Sequence, residues 1–72
     1  MQNRVKELRR KKGWNQTALA KKSNVSRQTI SLIERNKLVP SVLIAIKIAK
    51  CFSEKVENIF LLDSANYIKP SK

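Results

Sequence analysis

A chain of 72 residues with a formal net charge of +11, one cysteine and no histidine makes one small basic domain. This composition excludes an internal disulfide framework and the usual Cys/His zinc site, so we expect no metal and no cofactor. No apolar stretch is long enough for a membrane span and no secretory signal follows the basic start, which predicts a cytoplasmic protein without a membrane partner. Five scattered carboxylates and no glycine-rich phosphate loop argue against an enzyme, and one small domain offers no obvious pocket for a small-molecule ligand.

The net positive charge of the chain lies in residues 1–50. Residues 1–50 carry thirteen Lys and Arg against two Glu, whereas residues 51–72 carry three of each sign. This asymmetry is expected of a protein that neutralises phosphates with one face. The alternatives are a basic surface that serves only solubility, or one that meets acidic lipid or protein.

Sparse Gly and Pro favour helices, and the first two can be placed from their stop and cap residues. A basic run predicts a first helix from about residue 2 to Lys12, with Gly13 as its C-terminal stop. Asn15 is the expected cap of a second helix that ends at Asn24, a residue that tolerates the left-handed conformation. Trp14 is expected to fill the core between these two helices, and stacking on single-stranded nucleic acid is the weaker alternative.

The third helix, from about Arg27 to Arg35, has two distinct faces. Ser26 is its expected N-cap. A rotation of 100° per residue places Ile30 and Ile33 on one apolar side. The opposite side is mostly polar and consists of Gln28, Ser31, Leu32 and Arg35.

Two more helices complete the predicted fold. Ser41 is the expected cap of a fourth helix, which directs Val42, Ala45, Ile48, Ala49 and Phe52 to one side. A short fifth helix is expected to end near Leu61–Leu62. The prediction is an all-α domain over residues 1–62, followed by a loosely held tail at residues 63–72.

The segment between Gln16 and Arg35 has the spacing of two short helices joined by a tight turn. Such helices cross steeply, so they need a small residue at their contact, a positive φ in the turn and apolar anchors beneath the second helix. These roles are matched by Ala20, Asn24, Val25, Ile30 and Ile33. Each match alone is common, but all of them in register favour a helix-turn-helix.

The chain between Trp14 and Ser41 resembles the XRE family of bacterial and phage regulators, relatives of the lambda-type repressors and Cro proteins; it reads WNQTALAKKSNVSRQTISLIERNKLVPS. The similarity covers about Arg4 to Phe60. Its most specific parts are Asn15-Gln16, Leu19-Ala20, Val25 to Ile30, Ile33-Glu34, Asn36-Lys37 and Pro40-Ser41. The family implies a five-helix, lambda repressor-like all-α bundle. The chain departs from the usual pattern at Ser23, Asn24 and Lys55.

Groove geometry and this resemblance together assign the candidate base contacts. The third helix is expected to enter the major groove with its N-terminal end deepest. The candidates are Arg27, Gln28, Thr29, Ser31 and Leu32. Gln28 suits the N6 and N7 edge of adenine, whereas Arg27 suits either guanine or a phosphate. The alternative is that these are solvated residues of an ordinary surface helix.

Five residues are candidate phosphate contacts, which set register and affinity without reading sequence. They are Gln16, Arg10, Arg35, Asn36 and Lys37. By resemblance, Gln16 binds a phosphate at the start of the second helix, while Asn36 and Lys37 bind from the loop after the third. Arg9 and Glu34 resemble the family's partly buried ion pair, and the helical wheel places Glu34 towards the inner side of its helix.

The expected function is that of a sequence-specific regulator of transcription, a repressor that binds double-stranded DNA as a homodimer on a palindromic operator. Apolar residues that favour a dimer interface at the C-terminal end are Leu43, Ile44, Leu61, Leu62, Tyr67 and Ile68. The alternative is an antitoxin or co-regulator that acts mainly through a protein partner. RNA is a poorer target, because its A-form major groove is too narrow for a reading helix.

Overall fold

The computed structural model describes residues 2–61, which form five helices and one two-stranded sheet. The helices are α1 (Val5–Lys11), α2 (Gln16–Ser23), α3 (Arg27–Glu34), α4 (Val42–Phe52) and α5 (Val56–Ile59). The strands β1 (Gln2–Asn3) and β2 (Phe60–Leu61) pair antiparallel, with Asn3 opposite Phe60. The expected tail at residues 63–72 lies outside the described residues. None of the helices in residues 2–61 has the length and apolarity that a membrane crossing requires.

The predicted caps of the three central helices are confirmed. The side chains of Asn15, Ser26 and Ser41 each accept a hydrogen bond from the backbone N–H three residues later. The predicted left-handed residues are confirmed as well, since Gly13 has φ +74° and Asn24 has φ +57°. Local capping chemistry therefore defines where α2, α3 and α4 begin and where α1 and α2 end.

The predicted limits of the first and last helices are wrong. α1 begins at Val5 instead of residue 2, because Asn3 belongs to β1 and its Oδ1 accepts a hydrogen bond from Val5 N at 3.0 Å. α5 ends at Ile59, because Phe60–Leu61 pair with β1. Sequence periodicity missed the sheet, since strands of two residues are too short to show alternation.

One core joins all five helices. Its buried apolar residues are Val5, Leu8, Leu19, Val25, Ile30, Ile33, Ala45, Ile48, Ala49, Phe52, Ile59 and Phe60. The expectation that Val42 joins this core is wrong, because its side chain is 77% exposed. Val42 is the first residue of α4, and a helical wheel gives the direction of a side chain without showing how far the core extends along the helix.

Trp14 contacts a helix that was not expected, α4, in addition to α2. Its ring is half-buried and stacks on that of Phe52 in α4, with centroids 5.6 Å apart and ring planes inclined by 19°. The Nζ atom of Lys22 lies 4.9 Å from the centroid of the indole ring. Trp14 thus ties the segment before α2 to α4, and its stacking surface is occupied within the protein.

Candidate nucleic-acid interface

The inner face of α3 packs on the core, and the outer face of α3 is in solvent. The chain reverses at Asn24, where Val25 N donates to Ala20 O at 3.1 Å and the Val25 side chain is buried. Behind α3, Ile30 and Ile33 are fully buried. These anchors fix the helix axis, so the direction of the outer side chains is set by the core.

Arg27 and Gln28 lie at the N-terminal end of this outer face. Both side chains are exposed, and within residues 2–61 neither makes a hydrogen bond or an ion pair from its side chain. Ser31 and Leu32 follow one turn later and are half-exposed. The face therefore presents donors and acceptors that the described part of the protein does not use.

Thr29 is the candidate base contact with the least free chemistry. Its hydroxyl accepts a hydrogen bond from Ser26 Oγ at 2.7 Å, and its backbone N–H donates to the same Ser26 oxygen at 3.1 Å. The side chain is half-buried. Thr29 therefore takes part in the N-cap of α3, and its hydroxyl keeps only its own donor hydrogen and one lone pair for a base.

Three of the candidate phosphate contacts already bond within the protein. Gln16 Nε2 donates to Glu34 Oε1 at 3.1 Å, and Arg35 Nε donates to the carbonyl of Ser31 at 3.4 Å. Asn36 Oδ1 accepts a hydrogen bond from Asn3 Nδ2 at 3.0 Å. These contacts hold the three side chains beside the two ends of the α2–α3 unit.

Lys37 and Arg10 are the remaining two candidates. Both are exposed, and in the described ranges neither side chain is paired with a carboxylate. Lys37 follows directly on the turn after α3, where its backbone N–H donates to Leu32 O at 2.9 Å. Arg10 lies on α1, and no side-chain hydrogen bond or ion pair in residues 2–61 brings it to the α2–α3 unit. The two cations thus lie on different elements, Arg10 on α1 and Lys37 in the turn after α3.

A buried ion pair connects α1, α2 and α3. Arg9 Nε donates to Glu34 Oε2 at 2.7 Å and Nη2 donates to Oε1 at 3.2 Å, while Nη1 donates to the carbonyl of Trp14 at 2.9 Å. The side chains of Arg9 and Glu34 are only 11% and 3% exposed. Since Gln16 also donates to Glu34, this one carboxylate fixes the start of α2 relative to the end of α3.

The surroundings of Arg4, Glu7 and Cys51 shift the pKa values of these three groups. On α1, the hydrogen bond and charge of Arg4 lower the pKa of Glu7, and Glu7 in turn raises the pKa of Arg4. Burial raises the pKa of the Cys51 thiol on α4. A thiol held protonated in this way fits a packing role.

Sequence reasoning missed Asn3. Its side chain donates from Nδ2 to Ile33 O at 2.9 Å and to Asn36 Oδ1 at 3.0 Å, so it links β1 with the end of α3. An asparagine shortly before Val5, the first buried residue of the apolar pattern, is an N-terminal helix signal that could have marked it. Its contact with the turn after α3 is not visible in the sequence, because the residues are more than 30 positions apart.

Comparison with known proteins agrees with this geometry. The helix-turn-helix family model (HTH_3) matches residues 5–57. The chain is 47% identical over 66 residues, 92% of this chain and 100% of the other, to YgzD of Bacillus subtilis (strain 168), an uncharacterized HTH-type transcriptional regulator. It is 48% identical over 63 residues, 88% of this chain and 96% of the other, to an uncharacterized HTH-type transcriptional regulator of Methanocaldococcus jannaschii.

A solved structure shows the same architecture. The crystal structure of the restriction-modification controller protein C.AhdI from Aeromonas hydrophila superimposes with a TM-score of 0.74 at 30% identity, covering 79% of this chain and 86% of that one. The expected five-helix fold and the resemblance to XRE regulators are confirmed, and the family is one of regulators rather than enzymes. The chain therefore belongs to the helix-turn-helix family of DNA-binding transcriptional regulators.

Proposed function

We propose that this protein is a sequence-specific repressor that reads the major groove of double-stranded DNA with α3 and acts as a homodimer in the cytoplasm. The observation that carries the proposal concerns the N-terminal end of α3. There Arg27 and Gln28 are exposed and unpaired within residues 2–61, on a helix anchored by fully buried isoleucines. A helix fits the major groove of B-DNA, and the leading turn reaches furthest into it.

Each exposed side chain of α3 contacts a different group of the DNA. Gln28 bonds bidentately to adenine, and Arg27 bonds to guanine or to a phosphate. Ser31 contributes a hydroxyl one turn later, and Leu32 packs against a thymine methyl group. Thr29 contributes least, because its hydroxyl is already bonded to the Ser26 cap.

Phosphate contacts on either side of α3 hold the helix in register. Asn36 and Lys37 bind from the turn after α3, and Arg35 and Arg10 add positive charge. Gln16 binds at the N-terminus of α2, where backbone N–H groups favour an anion. The amide nitrogen of Gln16 carries two hydrogens, so one bonds to Glu34 while the other is left for a phosphate.

A second copy of this chain is the proposed partner of an apolar groove beside α4. The groove has a volume of about 330 Å³, and its lining includes Val39, Val42, Ile46, Val56 and Phe60. Val39 and Val42 are 69% and 77% exposed. Among the residues of 2–61 that line the groove, Glu57 alone is charged, so in a chain of net charge +11 this is a surface where two copies meet with little repulsion.

Among the described residues, none of those expected from the sequence at the interface lines this groove. Leu43 and Leu61 are exposed, whereas Ile44 is half-buried and packs against the core. Leu62, Tyr67 and Ile68 lie outside the described residues. Val39 and Ile46 were missed, although they flank the expected Leu43 and Ile44 in the chain.

Sedimentation tests the dimer. We expect the unmutated protein to be dimeric on operator DNA and Val42→Asp to bind as a monomer, because the new charge would enter the apolar interface. Asn58→Asp adds the same charge at an exposed position outside the groove lining and should remain dimeric. Dimers of equal strength in both variants would place the interface elsewhere.

Selection from a pool of random duplex DNA tests the reading of sequence. At about 150 mM salt the non-specific electrostatic attraction is weakened enough for specific sites to be recovered. We expect a two-fold symmetric motif, in which Gln28→Ala relaxes the preference at one position per half-site by roughly 1–3 kcal/mol. Recovery of no motif would contradict the proposal and favour an antitoxin or co-regulator whose specificity comes from a protein partner.

A further inference from the structure

The first residues of the described chain reach across to the turn after α3. On one side, β1 pairs with β2, and Arg4 N donates to Ile59 O at 2.8 Å. On the other side, the side chain of Asn3 donates from Nδ2 to Ile33 O at 2.9 Å and to Asn36 Oδ1 at 3.0 Å. Asn3 therefore joins the small sheet to the C-terminal end of the helix that faces DNA.

The orientation of the Asn3 amide follows from its partners. Nδ2 faces two oxygen atoms, while Oδ1 accepts a hydrogen bond from Val5 N at 3.0 Å. The reversed amide would place its oxygen against a carbonyl and its NH₂ group against a backbone N–H. The three contacts together therefore permit one orientation.

This network also determines which way the Asn36 amide points. Asn36 is exposed and has φ +59°, a left-handed conformation that brings the chain out of α3. Its Oδ1 is held towards Asn3, so its NH₂ group points away from Asn3. Within residues 2–61 this NH₂ group donates to no protein acceptor. The turn thus offers a pair of oriented N–H donors beside α3.

We propose that Asn3 is a positioning residue for DNA binding, which holds the NH₂ group of Asn36 outward as a donor to a backbone phosphate. The inference rests on the proposed function, in which Asn36 contacts a phosphate. A donor that is already oriented loses less side-chain freedom when it binds. Asn3 itself touches no phosphate and acts only through Asn36.

The first test is Asn3→Ser. The serine hydroxyl can still accept a hydrogen bond from Val5 N, as Asn3 Oδ1 does, whereas the NH₂ group that reaches Ile33 and Asn36 is gone. The net charge does not change. We expect about two- to tenfold weaker binding to a duplex, the range of one net hydrogen bond.

Salt dependence separates this loss from a loss of charge. Because Asn36 is neutral, Asn3→Ser should leave the slope of log affinity against log salt unchanged. Lys37→Gln should instead lower that slope by about one phosphate contact. A changed slope in Asn3→Ser would show that the variant disturbs the charged surface, and would overturn the proposed route through Asn36.

A double-mutant cycle tests whether Asn3 acts through Asn36. Asn36→Ala should weaken binding about as much as Asn3→Ser, and adding Asn3→Ser to Asn36→Ala should weaken it no further. Asn58→Ser is the matched control, since it removes an exposed amide whose hydrogen-bond partner within residues 2–61 is Glu54. Losses that add in full, or undiminished binding by Asn3→Ser, would overturn the proposal.

NMR of the unmutated protein without DNA tests the contact between Asn3 and Asn36 even if a variant does not fold. We expect nuclear Overhauser effects between the side-chain amide protons of Asn3 and Asn36, and their absence would overturn the proposal. If the unmutated protein shows these contacts and binds no duplex, the proposed function fails and this role fails with it. If it binds duplex DNA but fails the cycle, the role of Asn3 alone fails.

Discussion

Two ion pairs in this protein have the same chemistry and different surroundings. Arg4 and Glu7 meet at 3.2 Å on the surface of α1, with side chains 34% and 52% exposed. Arg9 and Glu34 meet at 2.7 Å between α1 and α3, almost fully buried. Water screens the first pair, whereas the second depends on its own hydrogen bonds to offset the cost of desolvation. The buried pair therefore fixes the position of α2 relative to α3.

The largest expected effect comes from breaking the buried pair. Glu34→Gln keeps the shape of the side chain but leaves the Arg9 guanidinium buried without a counter-charge. We expect the free energy of unfolding to fall by about 3–5 kcal/mol, measured by urea denaturation. Glu57→Gln, at an exposed carboxylate that makes no ion pair in the described residues, should be close to neutral. A loss below about 1 kcal/mol in Glu34→Gln would place the buried pair in the same class as the surface pair.

A double replacement separates stability from alignment. Arg9→Met combined with Glu34→Leu removes both buried charges, and apolar replacement of such a pair is often neutral or stabilising. We therefore expect most of the stability lost in Glu34→Gln to return. DNA affinity should stay several-fold below that of the unmutated protein, because Gln16 loses its partner. Full recovery of affinity in an equilibrium binding assay would show that the carboxylate does not position Gln16.

The smallest effect is expected at the surface pair. Glu7→Gln should change the unfolding midpoint only at the limit of detection, and added salt should remove even that. The hydrogen bond from Arg4 lowers the pKa of Glu7 in the folded protein, so the pair stabilises above the ordinary glutamate pKa. This contribution is lost as the pH falls through the lowered pKa. NMR titration of the Glu7 carboxyl should show this lowered pKa. An ordinary glutamate pKa would contradict the hydrogen bond between Arg4 and Glu7.

The features predicted correctly from the sequence depend on residues close together in the chain. Asn15, Ser26 and Ser41 cap helices through neighbours three residues away, and Asn24 reverses the chain within one turn. Such local chemistry is visible in the order of residues. This is why the helix-turn-helix and its outer face were predictable.

The features that were missed depend on distance through the fold. Asn3 contacts a turn that no local pattern predicts, and Trp14 stacks on Phe52 of a later helix. Val42 lies on the core side of a helical wheel but at the start of α4, where the core does not reach. These outcomes are set by how the helices pack, which one sequence does not reveal.

The pairing of β1 with β2 has a consequence for the order of folding. Asn3 and Phe60 come together across nearly the whole described chain, so their pairing has to close a far longer loop than any turn between the helices. The sheet is therefore expected to form after the helices have packed. Since Asn3 also holds the turn at Asn36, the proposed DNA-binding surface is complete only when β2 has docked on β1. A chain that has folded its helices but not yet its sheet would have the positive charge that attracts DNA. It would not yet have the turn at Asn36 held in position.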